Sequence, residues 1–406
     1  MGMSTEFKDK IILTNDKPVE IGEDIFDHDT LNYKASVERL TNLITCTQKP
    51  YTMGVFGDWG SGKTSFMRML QACLEKENYA TYWFDAWKYE YENDLIVPLL
   101  HGLSEQFSRV SKSIREELCK SASVIGLSFA DIFLRTSTAG TCTSEDIKKN
   151  LESYEEKSSK FYKYHSDQVI RLEGAFKDCV KDVLKTEENS LVIFIDDLDR
   201  CMPENVIGLL EKIKNYLTMD DCRVLFVIGV DKGMLEKSVI VRYGSDLIEA
   251  DRYLEKIINL SADVPTSNVD IEKFIKTEFK HHFLLPNQDE ENLKNIFIQI
   301  VKDSKINNPR KLKRLITRYL FYIVLRKRYT KVLPQLIIYL LICKEYYPDT
   351  YQWKKEKNAI YDWEIDFKGK IKDLGPTYFQ DKGIKIQQKD YLSHFEATDF
   401  IYSLTF

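Results

Sequence analysis

The chain has no long apolar run. No stretch reaches the roughly 20 apolar residues that a membrane-crossing helix requires. The two nearest, 122–134 and 333–343, are interrupted by Asp131 and by Pro334 and Gln335, and each is expected to be a buried helix. A cysteine pattern is missing too. Cys46, Cys73, Cys119, Cys142, Cys179, Cys201, Cys222 and Cys343 are scattered without a C-x-x-C pair. That speaks against a zinc ribbon or a disulfide framework and fits reduced thiols in a cytoplasmic setting. Nor is there an excess of one charge: 58 basic residues stand against 63 acidic ones, so bulk charge does not coat nucleic acid, although a local basic patch remains open. The first ten residues, MGMSTEFKDK, contain no apolar signal core. No internal repeat is visible.

What is present is enough apolar content (43%) to build a real core. Apolar runs at 52–56, 81–84, 191–195, 223–230 and 257–264 predict strands, the continuous ones at 191–195 and 223–230 reading as buried parallel strands. Helical spacing predicts helices at 33–44, from Lys63 to about Lys76, and at 206–217. Strand and helix alternate, so the expected fold is α/β, a doubly wound and mostly parallel sheet of the P-loop type. A parallel crossover needs only about 10–12 residues. Residues 94–186 are therefore read as a large helical insertion, with a Gly/Thr/Ser break near 136–144. The expected organisation is an extended lead-in at 1–28, core at 29–93, insertion at 94–186, core again at 187–265, a helical lid at 266–345, and a C-terminal region of unknown role at 346–406.

The most specific motif is Gly57-Asp58-Trp59-Gly60-Ser61-Gly62-Lys63-Thr64, a full match to G-x-x-x-x-G-K-[ST] between a strand and a helix. A triphosphate is a dense anion. Backbone N–H groups surround it only where side chains do not block the approach, which the glycines provide, and the helix start adds its positive dipole end. Lys63 is expected to reach the β- and γ-phosphates, and the Thr64 hydroxyl to ligate Mg²⁺. Ser65 completes the nucleotide-contacting set. Chance alone would produce a Gly-rich turn, but not one in this context.

The run Leu191–Asp196 ends in a second acid, Asp197. Strand C-termini in a parallel sheet line the ligand crevice. Asp196 is expected to hold the metal's water shell and Asp197 to orient or deprotonate an attacking water; the bland alternative is an acid pair capping a helix. A further buried strand ends at Asp231, where a helix N-cap is one reading.

Together with FDAWKYE at 84–90, IDDLDRC at 195–201 with Pro203 after it, YLEKII at 253–258 and NPR at 308–310, the phosphate loop resembles the KAP family of P-loop NTPases over roughly residues 50–320. The resemblance implies an ATPase of the additional-strand class, distantly related to AAA+ and STAND proteins, with a helical lid. Members are often membrane-attached through helices inserted after the FDAWKYE-like block; they include a plasmid phage-exclusion protein and neuronal scaffold proteins. The insertion here is polar, against membrane attachment, and Asp85 stands where Asn is usual. In related ATPases Asp231 lies at a γ-phosphate sensor position, and Glu often replaces Asp197, so the shorter Asp implies slow turnover. Arg310, after Pro309, stands where a sensor arginine would act, and Arg252 where a finger reaches a neighbouring subunit, which implies a homo-oligomer. Arg200 pairs with Asp197 or Asp199 on the bland reading, and Arg242 is a weaker candidate.

Residues 302–331 carry many basic side chains, with an apolar stripe at Leu312, Leu315, Ile316, Tyr319, Leu320, Ile323 and Val324. The basic face fits nucleic acid or acidic lipid, or simply a solvated lid face. Three functions follow: a nucleotide-dependent switch or assembly module, in phage defence among other settings; a nucleic-acid-associated motor or clamp; and a scaffold stabilised by nucleotide. No Asn-Lys-x-Asp motif is present, so ATP with Mg²⁺ is the expected ligand. Any effector activity is expected to come from a protein partner.

Overall fold

The computed structural model describes residues 18, 21–22, 24–27, 29–92, 94–126, 166–184, 189–244, 249–266, 270–282, 289–304, 306–325, 338, 341–342 and 344–346. Five strands form one sheet: β1 (Tyr51–Phe56), β2 (Ala80–Asp85), β3 (Leu191–Asp196), β4 (Val224–Val230) and β5 (Leu260–Asp263). Their order is β2-β3-β4-β1-β5, and every neighbouring pair is parallel. β4 lies between the phosphate-loop strand β1 and the acidic strand β3, the additional strand that the resemblance implied. β3 and β4 are buried along their whole length. That is why their sequences are unbroken apolar runs rather than alternating ones.

Helix α1 (Lys34–Cys46) buries Val37, Leu40 and Ile44. Helix α2 spans Lys63–Lys76, the expected bounds, and buries Phe66, Met67, Met69, Leu70 and Leu74. Two expectations shift. The helix expected at 206–217 opens at Pro203–Lys212, with proline in its first turn where no N–H is missed, and continues as a π turn over Ile213–Leu217. The strand expected at 257–264 shortens to Leu260–Asp263 because Ile257 and Ile258 donate their N–H groups to Leu254 O at 3.0 and 2.8 Å, closing the short helix Ala250–Glu255. Apolar content there belongs to a helix end, not to a strand.

The described parts of the insertion are helical: α3 (Ile96–Gln106), α4 (Lys112–Gly126) and α5 (166–183). Leu99, Leu103, Leu118, Leu172, Phe176 and Val183 are buried in the same cluster as Ile193, Ile195 and Phe226. The insertion thus extends the sheet's own core. The break near 136–144 and the whole of 346–406 except Tyr346 lie outside the described residues.

The chain divides into two compact units. One holds the sheet, and the other takes Asp29–Tyr33 and the described residues from Pro265 on. In the second unit the helices are Ile271–His282, Asp289–Asp303 and Pro309–Leu325. Phe279, Phe297 and Tyr319 form its aromatic centre, with ring centroids 5.0–6.5 Å apart. The expected stripe is buried at Leu312, Leu315, Ile316, Tyr319 and Leu320. The Asp29 carboxylate accepts the N–H groups of Leu31 and Tyr33, and Lys273 Nζ donates to Asp29 O at 2.8 Å; these bonds tie the early segment into this unit rather than to the sheet. Among the described residues no helix is long and apolar enough to cross a membrane.

Candidate nucleotide site

β1 ends at Phe56 and the chain turns at once into the loop. Gly57 stands where a side chain would strike Ser61: a Cβ there would come within 2.6 Å of Ser61 Oγ. Ser61 N–H donates to Asp58 O at 3.0 Å, which curls the loop on itself. Gly62 then opens α2 in the left-handed region, at φ 96°, a conformation that glycine alone adopts without strain. Lys63 and Ser65 are buried and Trp59 is exposed.

Two segments distant in sequence meet here. The Thr64 hydroxyl donates to Asp196 Oδ2 at 2.8 Å. Asp196 Oδ1 is buried and has no hydrogen-bond partner among the described residues. A hydroxyl and a carboxylate presented side by side, with one oxygen left over, suit a hard cation that prefers oxygen ligands. Burial pushes the Asp196 carboxyl up, against the pull of the Thr64 hydrogen bond; a divalent cation would favour the ionised form. Among the described residues no group of three or more His, Cys, Asp or Glu is arranged to hold a metal by itself. A magnesium ion held by one or two protein oxygens and the phosphates needs none.

Asp197 follows at φ 55°, an uncommon conformation for a residue with a side chain. It turns the chain into the single 3-10 turn Leu198–Arg200, anchored by the fully buried Leu198. Its carboxylate lies 2.7 Å from the Arg200 guanidinium, which is the bland pairing foreseen for that arginine. Burial and the neighbouring Asp196 charge push the Asp197 carboxyl up to about 6, with Arg200 opposing. Arg200 in turn stacks over the exposed Trp87, 4.9 Å from the ring centre. The FDAWKYE block is tied to the same region: Ala86 N–H donates to Asp196 O at 3.0 Å, and Glu90 Oε1 accepts the Met202 N–H at 2.7 Å. Asp85 sits in register with Asp196.

Asp231 caps helix Lys232–Tyr243, its Oδ1 accepting the Met234 N–H at 3.1 Å. Its own N–H donates to Asp199 Oδ2 at 2.9 Å. That oxygen also lies 3.3 Å from Lys63 Nζ. Asp199 is the site residue that sequence reasoning missed; its signal was a third acid just after the strand that ends in two. Lys63 Nζ donates to Gly57 O at 2.8 Å and reaches Asp58 O at 3.4 Å as well.

Arg252 is exposed and pairs with Glu249 at 2.9 Å, and Arg242 lies over the Tyr243 ring. Arg310 belongs to the helical unit. There Asn308 Oδ1 accepts the Lys311 N–H, so the NPR motif reads locally as an N-cap followed by a proline at the helix start. Lys302 pairs with Glu272 at 2.6 Å, Lys313 with Glu278 at 3.4 Å, and Arg318 with Glu345, so part of the basic face is already neutralised.

A parallel α/β sheet with a lysine-bearing glycine loop at one strand end and an acidic pair two strands away defines a P-loop NTPase. The KAP family P-loop domain matches residues 33–326, and the chain belongs to that family. It is also similar to an uncharacterised protein of Methanocaldococcus jannaschii, 25% identical over 197 residues, 38% of this chain and 98% of that one. Among solved structures it matches the Aeropyrum pernix ORC1 protein in complex with DNA, at 12% identity and a TM-score of 0.39, over 95% of this chain and 85% of that chain.

Proposed function

We propose that the chain binds ATP with Mg²⁺, hydrolyses it slowly, and uses the nucleotide state as a switch. The observation that carries this reading is the Thr64–Asp196 bond at 2.8 Å with Asp196 Oδ1 left over beside it. Gly57, Asp58, Trp59, Gly60, Ser61, Gly62 and Ser65 cradle the phosphates through the loop and the helix start, and Lys63 supplies the positive charge. Thr64 and Asp196 hold the metal, which screens phosphate charge. Asp197 orients the attacking water once it is released from Arg200. Asp231, just after β4, takes the position of a γ-phosphate sensor.

Slow turnover follows from two features. Asp197 is one methylene shorter than a glutamate, and its carboxylate is engaged by Arg200 at 2.7 Å. A switch with long-lived states suits an assembly module whose effector activity lies in a protein partner, as in a phage-defence system in the cytoplasm. The pairing of Lys302, Lys313 and Arg318 with acids favours the switch over a nucleic-acid motor. The test is steady-state ATP hydrolysis with and without DNA or RNA. Slow hydrolysis indifferent to nucleic acid is expected. Strong stimulation by nucleic acid would favour the motor, and binding without hydrolysis a scaffold.

A further inference from the structure

Asp199 is in contact with the loop lysine, yet no part of the reaction uses it. Its side chain and that of Lys63 are 7% and 9% exposed, with Nζ and Oδ2 3.3 Å apart. The same carboxylate oxygen accepts the Asp231 N–H at 2.9 Å. Asp199 is therefore held from the end of β4 and does not depend on the lysine for its place. Among the described residues the lysine's partners are Gly57 O, Asp58 O and Asp199. Asp199 is the charged one among them, so it is the partner that a phosphate would compete with for the ammonium group. The ion-pair contact is longer than the roughly 2.7–2.9 Å of a strong charge-assisted bond, so it is a pairing ready to be exchanged.

We propose that Asp199 is a positioning residue that holds Lys63 in reserve: it neutralises the buried lysine in the nucleotide-free chain and competes with the triphosphate for it. This rests on the nucleotide-binding reading above. A buried ammonium group without a partner is costly, and a buried pair broken on one side is destabilising. Asp199 removes that cost in the resting state. It also lowers triphosphate affinity, because binding must displace a fixed counter-charge. The neighbouring Arg200 holds Asp197 in the same manner, so one short turn restrains both groups that the reaction needs. The outcome is a loop that is stable without nucleotide and that releases nucleotide readily, as a switch requires.

The test is Asp199→Asn in the full chain, titrated with Mg–ATP by calorimetry and followed by thermal melting. The amide oxygen can still accept the Asp231 N–H, so the purely structural bond is preserved and only the charge facing Lys63 is lost. The variant is expected to bind Mg–ATP about tenfold more tightly, one buried counter-charge being removed. Its melting temperature without nucleotide should fall, and Mg–ATP should raise it by more than in wild type. If Asp199→Asn does not fold, Asp199→Ser, neutral and smaller, carries the same expectation. Unchanged or weaker affinity in a folded variant overturns the proposal, and so does failure of both variants to fold. Wild-type protein that binds no triphosphate overturns the nucleotide site itself. Wild type that binds while the variant gains nothing overturns only the role of Asp199.

Discussion

Thr64 and Asp196, 132 positions apart in the chain, share a hydrogen bond of 2.8 Å. One stands in the first turn of α2 and the other ends β3, so the bond joins the phosphate loop to the acidic strand across the intervening β4. If this pair holds the metal, Thr64→Ala and Asp196→Asn each raise the Mg²⁺ concentration needed for half-maximal ATP binding by about tenfold or more, since each removes or weakens an oxygen ligand. Magnesium titrations at fixed ATP measure this. Curves that overlay wild type would remove the pair from the metal site.

Asp197→Asn keeps the shape of the side chain and takes away its ability to accept a proton. Nucleotide affinity should stay within about threefold of wild type, while single-turnover hydrolysis falls by about 10²–10⁴, the range for loss of a general base. Equal single-turnover rates in variant and wild type would assign the role elsewhere.

Leu198 is fully buried and anchors the turn that carries Asp199 and Arg200. Leu198→Ala is expected to cost about 2–5 kcal/mol of stability, the range for deleting a buried leucine side chain. It should also weaken nucleotide binding, because the turn loses its seat. Chemical denaturation and a nucleotide titration of the same sample check both effects.

The thiols give a chemical map of the sheet unit. Cys46 is exposed, whereas Cys179, Cys201 and Cys222 are buried. Burial pushes the Cys179 thiol up to about 12 and the Cys222 thiol up to about 11. The reactive species is the thiolate, so at pH 8 these two remain almost wholly protonated as well as shielded. Iodoacetamide followed by peptide mapping should label Cys46 rapidly and Cys179 and Cys222 only after denaturation. Equal labelling in native protein would contradict the burial.

Among the described residues Arg252 pairs with Glu249 at the surface, a contact worth little. If it acts across an interface, activity per chain rises with protein concentration, and mixing Arg252→Ala with Asp197→Asn partly restores turnover. If Arg310 acts within its own chain, Arg310→Ala lowers kcat equally at every concentration. Flat activity on dilution together with no rescue on mixing would end the cross-subunit role.

How much of this was legible in the sequence depended on how local each signal was. The loop at Gly57–Thr64 and the end of β3 at Asp196 are local motifs in fixed contexts, and α2 begins and ends where its capping glycine and apolar spacing place it. The strands β3 and β4 were legible because burial on both faces leaves unbroken apolar runs. The end of β5 was not, because Ile257 and Ile258 serve a helix end with the same apolar chemistry as a strand. Asp199 escaped notice for a different reason. Its meaning comes from Lys63 and Asp231, which are near it only once the sheet has brought three strand ends together. The helical insertion at 94–186 was legible, but not that its residues 166–183 join the sheet's core, since a helical reading does not say what buries the helix.

The central claim is that the loop around Lys63 binds a triphosphate, and a calorimetric titration of Mg–ATP into wild type and Lys63→Ala tests it most directly. Wild type should bind. The folded variant should bind about 10–100-fold more weakly, because a point charge on the phosphates is lost. Equal affinity in the two proteins, or no binding to wild type, would contradict the account.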